Sequence, residues 1–160
     1  MTQQATDLTV RRSITVEVPR ERAFAVFVER MGDWWPVDSY HVGEADAADA
    51  VLEPREGGRW YERGDDGVEC DWGRVLAYEP PARLVLAWMI GPDWKFDPDP
   101  ARATEVEVRF LQEGASSTRV ELEHRGFEVH GDRAEAMRAP IASDGGWGAL
   151  LQHFADATRS

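Results

Sequence analysis

The sequence predicts an α+β domain in which one curved antiparallel sheet of about six or seven strands wraps a long C-terminal helix. Three observations predict it. Apolar residues alternate along the opening and middle of the chain, whereas helical spacing occurs near the start and again at the end. Residues 72–88 read as two apolar strands joined at Glu79-Pro80-Pro81-Ala82, with Trp72 and Trp88 at the outer ends. A length of 160 residues suits one domain with a substantial core.

Residues 1–8 are expected to form a flexible tail, and residues 9–160 a single domain. In residues 10–18, Val10, Ile14, Val16 and Val18 share one face, opposite Arg11, Ser13, Thr15 and Glu17. Only Arg12 breaks the inner row, so this is a half-buried strand. Pro19 suits the first turn of a helix. Ala23, Phe24, Phe27, Val28 and Met31 then recur at helical spacing until Gly32 ends it. Asp33-Trp34-Trp35-Pro36 leads into residues 37–50, which are polar, acidic and Ala-rich and read as a loop or a short helix. Short strands follow at residues 51–53 and 59–62, and Gly64-Asp65-Asp66-Gly67 is a hairpin turn. In the strand at residues 68–78, apolar parity shifts between Trp72 and Val75, which predicts a bulge at Gly73. Residues 83–90, 104–111 and 118–125 complete the strands, with a proline-rich loop at residues 91–102. At the C-terminus, Asp132 can cap a short helix that Pro140 interrupts. Ser143 or Asp144 can cap the last helix, where Trp147, Leu150, Leu151, Phe154 and Thr158 form one stripe.

Composition narrows the function. A formal net charge of -12 argues against nucleic acid or an anionic membrane as partner. Lys95 is the only lysine. No apolar run approaches the ~18 residues of a membrane span, and no basic region precedes an apolar run at the N-terminus, so a cytoplasmic protein is expected. Cys70 is the only cysteine, which leaves no internal disulfide. The four histidines lack metal-ligand spacing: a turn separates His124 from His130, and His41 and His153 stand alone. No glycine-rich phosphate loop opens a helix. Neither metal nor cofactor is expected.

Strand parity selects the candidate site. Val106, Val108 and Phe110 share an inward row, as do Leu84, Leu86 and Trp88, and Val120, Leu122 and His124. Trp72 joins Trp88 on that face if Gly73 bulges, Trp147 enters from the helix, and Trp60 or Tyr61 joins from the preceding strand. Such aromatics line either a close-packed core or an aromatic cavity. His124 is either a ligand-bonding or acid–base group, or a satisfied histidine at a strand end. Cys70 is a lone buried thiol, or a nucleophile if His124 serves as its base. Glu69 and Asp71 share the outward face, which excludes paired carboxylates in the cavity. Arg74 makes a surface ion pair or binds a ligand carboxylate. Trp94 and Phe96 in the long loop form a lid or a partner surface, or tuck against the body.

Several stretches resemble a known family: Val18-Pro19-Arg20-Glu21-Arg22-Ala23-Phe24, the Trp34-Trp35-Pro36 turn, residues 73–88 with their Glu-Pro-Pro turn, Thr104-Glu105-Val106-Glu107-Val108, residues 118–124 ending at His124, and Gly145-Gly146-Trp147. Together they resemble the homologues of the activator of ninety-kilodalton heat-shock protein ATPase, within the START-like, birch-pollen-allergen-like (SRPBCC) superfamily. The resemblance implies a helix-grip fold with a cavity between sheet and terminal helix. Members bind lipids and hormones, cyclise polyketides or act as co-chaperones. The leading expectation is a non-enzymatic protein that holds a small apolar or aromatic molecule, with no catalytic residue. Trp72, Trp88, Phe110, His124, Trp147 and Leu151 line its site. The alternatives are a cyclase, aromatase or hydrolase using His124, and a chaperone-associated or stress-response module that meets a protein partner through exposed surface.

Overall fold

One strand, β4 (Glu69–Glu79), bends the sheet, because its alternation fails twice. Against β3 (Arg59–Gly64), Trp60 faces Gly73 while Tyr61 faces Asp71, so Trp72 is the extra residue. Against β5 (Arg83–Trp88), Val75 faces Leu86 while Ala77 faces Val85, so Leu76 is extra. The first bulge is the one predicted at Gly73; the second is not visible in the sequence pattern. Together they keep Trp72, Val75 and Tyr78 turned toward the core and leave Leu76 outside.

The computed structural model describes residues 8–36 and 46–159. The tail expected at residues 1–8 therefore lies outside the described residues except for Leu8, as does most of the segment at 37–50. Among these residues, seven strands form one antiparallel sheet. The other four are β1 (Val10–Val16), β2 (Ala47–Leu52), β6 (Thr104–Gly114) and β7 (Ser117–Arg125), and the order is β1-β7-β6-β5-β4-β3-β2. Among the described residues, four α-helices accompany it: α1 (Arg20–Glu29), α2 (Met31–Trp34), α3 (Ala134–Ala142) and α4 (Trp147–Ala157). The curved sheet packs against α4 with α1 and α2 beside it, which is a helix-grip fold. No helix among the described residues is long and apolar enough to cross a membrane.

Five local expectations change. Gly32 does not end a helix; it lies inside α2, where a Cβ would run into the Asp49 side chain and the Ala50 carbonyl of β2. Close approach of helix and strand, not termination, requires glycine there. Residues 47–50, expected to be loop or helix, belong to β2. Pro140 lies within α3 rather than interrupting it. The helix closes soon after, where the Ser143 hydroxyl donates to the Pro140 carbonyl at 2.6 Å. Ser143 is thus spent on α3, and Gly146 precedes α4 because a Cβ would strike the Ile141 and Pro140 carbonyls. Asp132 caps nothing; residues Phe127–Arg133 form a 3-10 segment, and Arg133 occupies the cap position of α3.

The two faces of the sheet differ in chemistry. On the outer face, Tyr61 lies under the Arg59 guanidinium at 4.0 Å, and Arg59 bonds Asp71 at 2.7 Å. Glu107 is buried, which alone would raise its pKa. Hydrogen bonds from Arg83, Arg125 and Arg109 outweigh that and pull it down to about 2. The inner face is apolar and aromatic.

Gly73→Ala tests the bulge. The added Cβ would collide with the Ala87 carbonyl of β5. We expect a loss of about 2–4 kcal/mol in urea unfolding, at the upper end of overpacking costs. An unchanged midpoint would mean that the bulge does not need glycine.

Candidate functional site

Trp147, the first residue of α4, reaches the sheet with its indole edge. Its Nε1–H donates to His124 Nδ1 at 3.0 Å. Because Nδ1 accepts, the ring proton sits on Nε2 and donates to Thr104 Oγ1 at 2.7 Å. His124 is 0% exposed, packed by Phe127 at 4.6 Å and Trp88 at 5.1 Å between ring centres. Burial lowers its pKa to about 3, so the ring is neutral. With both nitrogens engaged, His124 holds Trp147 in place and has no free nitrogen for acid–base chemistry.

Around this bond the sheet and helix bring together five indoles from five parts of the chain: Trp35 after α2, Trp60 on β3, Trp72 on β4, Trp88 on β5 and Trp147 on α4. Trp35 meets Trp72 at 4.9 Å, Trp60 meets Trp72 and Trp88 at 5.6 Å each, and Trp88 meets Trp147 at 6.1 Å. All five are buried. Their mostly edge-to-face contacts suit the aromatic quadrupole, each pair contributing about 0.5–1.5 kcal/mol beyond its area. Glu62 sits on the same face, 1% exposed, and accepts the Trp72 Nε1–H at 2.8 Å.

The sequence-selected residues divide. Trp72, Trp88, His124 and Trp147 meet in this cluster. Phe110 is on the inner face but packs with Phe24 at 5.0 Å and Phe27 at 5.8 Å. Leu151 is buried on α4, one turn beyond Trp147. Of the pair Trp60 and Tyr61, Trp60 joins the cluster and Tyr61 faces outward beneath Arg59. Sequence reasoning missed Trp35, which belongs to no regular element, and Glu62, whose parity with Trp60 was the available signal. Cys70 is half-buried, and burial, followed by the charges of Glu62, Asp66 and Asp71, raises its pKa, the opposite of an activated thiol. Arg74 makes the ion pair, 3.2 Å from Asp71. In the long loop, Phe96 is half-buried and its backbone bridges Ile90, but Trp94 does not tuck in: it is 41% exposed with φ at 62°. No group of three His, Cys, Asp or Glu among the described residues could hold a metal ion; His41 lies outside them.

A curved sheet gripping a C-terminal helix, with an aromatic inner face, defines a protein of the START-like, SRPBCC class. Within it, the chain belongs to the family described as Activator of Hsp90 ATPase homolog 1-like protein, whose model matches residues 17–158. Among solved structures it is similar to the anthrahydroquino-gamma-pyrone synthase Txn09, complexed with SUM, at 40% identity and a TM-score of 0.65, covering 93% of this chain and 96% of that one. It is similar also to CalC, a self-sacrificing resistance protein from Micromonospora echinospora, at 34% identity and a TM-score of 0.69, covering 95% and 94%. A protein from Mesorhizobium loti shares the fold at 18% identity and a TM-score of 0.66, covering 94% and 96%. No curated protein matches.

The buried neutral His124 makes stability depend on pH. Its folded pKa of about 3 lies below the ordinary 6.5, so between these values the unfolded chain binds the extra proton. Its contribution is fully present above pH ~6.5 and is lost as pH falls toward ~3, at up to about 1.4 kcal/mol per pH unit. In urea unfolding from pH 7 to 5, His124→Gln should show a shallower loss than the parent protein. Equal slopes would mean that His124 is not buried in the neutral form.

Proposed function

We propose that this protein binds a planar aromatic small molecule against the tryptophans of the concave face, beneath α4, without converting it. The observation that carries this reading is the five-indole cluster, in which Glu62, His124 and Thr104 place polar groups among flat apolar walls. That combination is what small-molecule sites use: broad apolar area for affinity and a few polar atoms for orientation. Trp72, Trp88 and Trp147 supply the walls, with Trp35 and Trp60 beside them. His124 fixes Trp147 from behind, and Leu151 lies one turn further along α4, while Phe110 belongs to the phenylalanine packing with Phe24 and Phe27. Affinity comes mainly from apolar burial at ~25 cal/mol per Å², before ordering costs. The two relatives above 30% identity support a small-molecule role, one being a synthase complexed with SUM and the other a resistance protein.

The synthase relative favours a second reading, conversion of the bound molecule. Its acid–base group is Glu62, beside Trp72, rather than His124, whose nitrogens are both occupied. Under that reading Glu62→Gln keeps binding and loses product formation by mass spectrometry.

Thermal-shift and fluorescence titrations against planar aromatics and fatty acids test the main reading. Aromatics should raise the Tm in a saturable way and fatty acids should not. Trp60→Leu should weaken binding by about tenfold, the loss of one or two ring contacts. No response to any aromatic would overturn it.

A further inference from the structure

The buried indoles of this fold satisfy their N–H groups with care. Trp34 donates to the Val26 carbonyl at 3.2 Å, Trp60 to Met31 Sδ at 3.1 Å, Trp72 to Glu62 at 2.8 Å and Trp147 to His124 Nδ1 at 3.0 Å. Trp88 departs from this pattern. Trp88 is only 7% exposed, its Nε1 is buried, and that nitrogen has no hydrogen-bond partner. A buried donor without an acceptor costs about 1–3 kcal/mol, and folded proteins leave few of them. Trp88 is also central to the cluster, touching Trp60, Trp147 and His124. The acceptors of the cluster already serve other donors: Glu62 takes Trp72, His124 Nδ1 takes Trp147, and Thr104 Oγ1 takes His124 Nε2.

We infer that Trp88 Nε1 is the polar anchor of the bound molecule, and that this molecule carries a neutral oxo group, a ketone or quinone carbonyl, on its planar ring system. The inference rests on the binding reading above and names its ligand class. A carbonyl fits better than an anion. The charged side chains buried among the described residues are Glu62 and Glu107, with no buried Lys or Arg. A carboxylate or phosphate taken out of water needs a paired charge and several donors, and the Trp88 indole N–H is one neutral donor, whereas a carbonyl needs only that one.

Fluorenone and fluorene share one tricyclic skeleton and differ by a single oxo oxygen. Nitrogen-15-labelled protein is titrated with each and followed in the indole N–H region of proton–nitrogen spectra, with Trp88 assigned through its covalent connections. Fluorenone should bind about three- to tenfold more tightly than fluorene, the worth of one hydrogen bond. The Trp88 indole proton should move downfield with fluorenone only. In Trp88→Phe, which keeps a ring but not the donor, the two compounds should bind equally. Equal affinities in the parent protein with an unmoved Trp88 signal would overturn this inference alone, as would a preference for fluorenone that survives in Trp88→Phe. If fluorenone does not bind while other planar aromatics of the titration do, this inference alone falls; if no aromatic binds, the binding reading falls, and this inference with it. Should Trp88→Phe fail to fold, the affinity ratio and the Trp88 signal of the parent protein decide the matter.

Discussion

The hydrogen-bonded chain Trp147–His124–Thr104 is the constraint on which the rest of the interior depends. It crosses from α4 to β7 and on to β6, so a single imidazole ties the helix to two strands. It works only when the ring is neutral. An imidazolium carries a hydrogen on both nitrogens and would meet the Trp147 N–H with another N–H. Burial between Phe127 and Trp88 enforces neutrality, and neutrality keeps the helix seated. The apolar stripe of α4, with Leu150, Leu151 and Phe154, supplies the burial energy but not the orientation. A stripe can slide or rotate by part of a turn at modest cost, whereas a bonded indole cannot.

The opposite face of the sheet explains how a strongly acidic chain tolerates such an interior. Arginines on β5, β6 and β7 converge on Glu107, and Arg59 joins β3 to the acids of β4. These pairs link neighbouring strands across the outer surface, where exposed ion pairs contribute little singly. Glu107 is the exception, being buried and bonded by three guanidinium groups. Its bonds complement the packing of the inward rows of the same strands, so the central sheet is held from both sides.

Much of this was legible in the sequence, because alternation reports which face of a strand a residue occupies. The inward rows ending at Trp88, Phe110 and His124, the bulge beside Trp72 and the stripe of α4 all followed from it. Alternation does not report how far along the concave face a side chain lies. Phe110 and Trp88 share a face, yet Phe110 contacts Phe24 and Phe27 while Trp88 contacts Trp60 and Trp147. The second bulge at Leu76 was hidden because Val75 and Ala77 are both small and apolar, so the parity change left no mark. Trp35 was illegible for another reason. It follows a helix of four residues, and its position depends on where the chain turns rather than on any period. Gly32 and Pro140 were misread as punctuation because glycine and proline usually break elements. Here one is needed for close approach to β2 and the other is carried within α3.

The interior divides along its length into two kinds of packing. At one end Phe24, Phe27, Phe110 and Phe154 pack ring against ring with Tyr78 at the margin. Nothing there requires a polar partner, and hydrocarbon against hydrocarbon is how a stable core is built. Trp34 and Trp35, 5.8 Å apart, form the junction. Beyond it the rings become indoles, and buried polar groups appear with them: Glu62, Thr104, His124 and the unbonded Trp88 Nε1. Burying those groups costs free energy that phenylalanine or leucine would not require. Glu62, His124 and Thr104 bond Trp72, Trp147 and one another, so the indole end is fixed by directed hydrogen bonds where the phenylalanine end is fixed by packing alone.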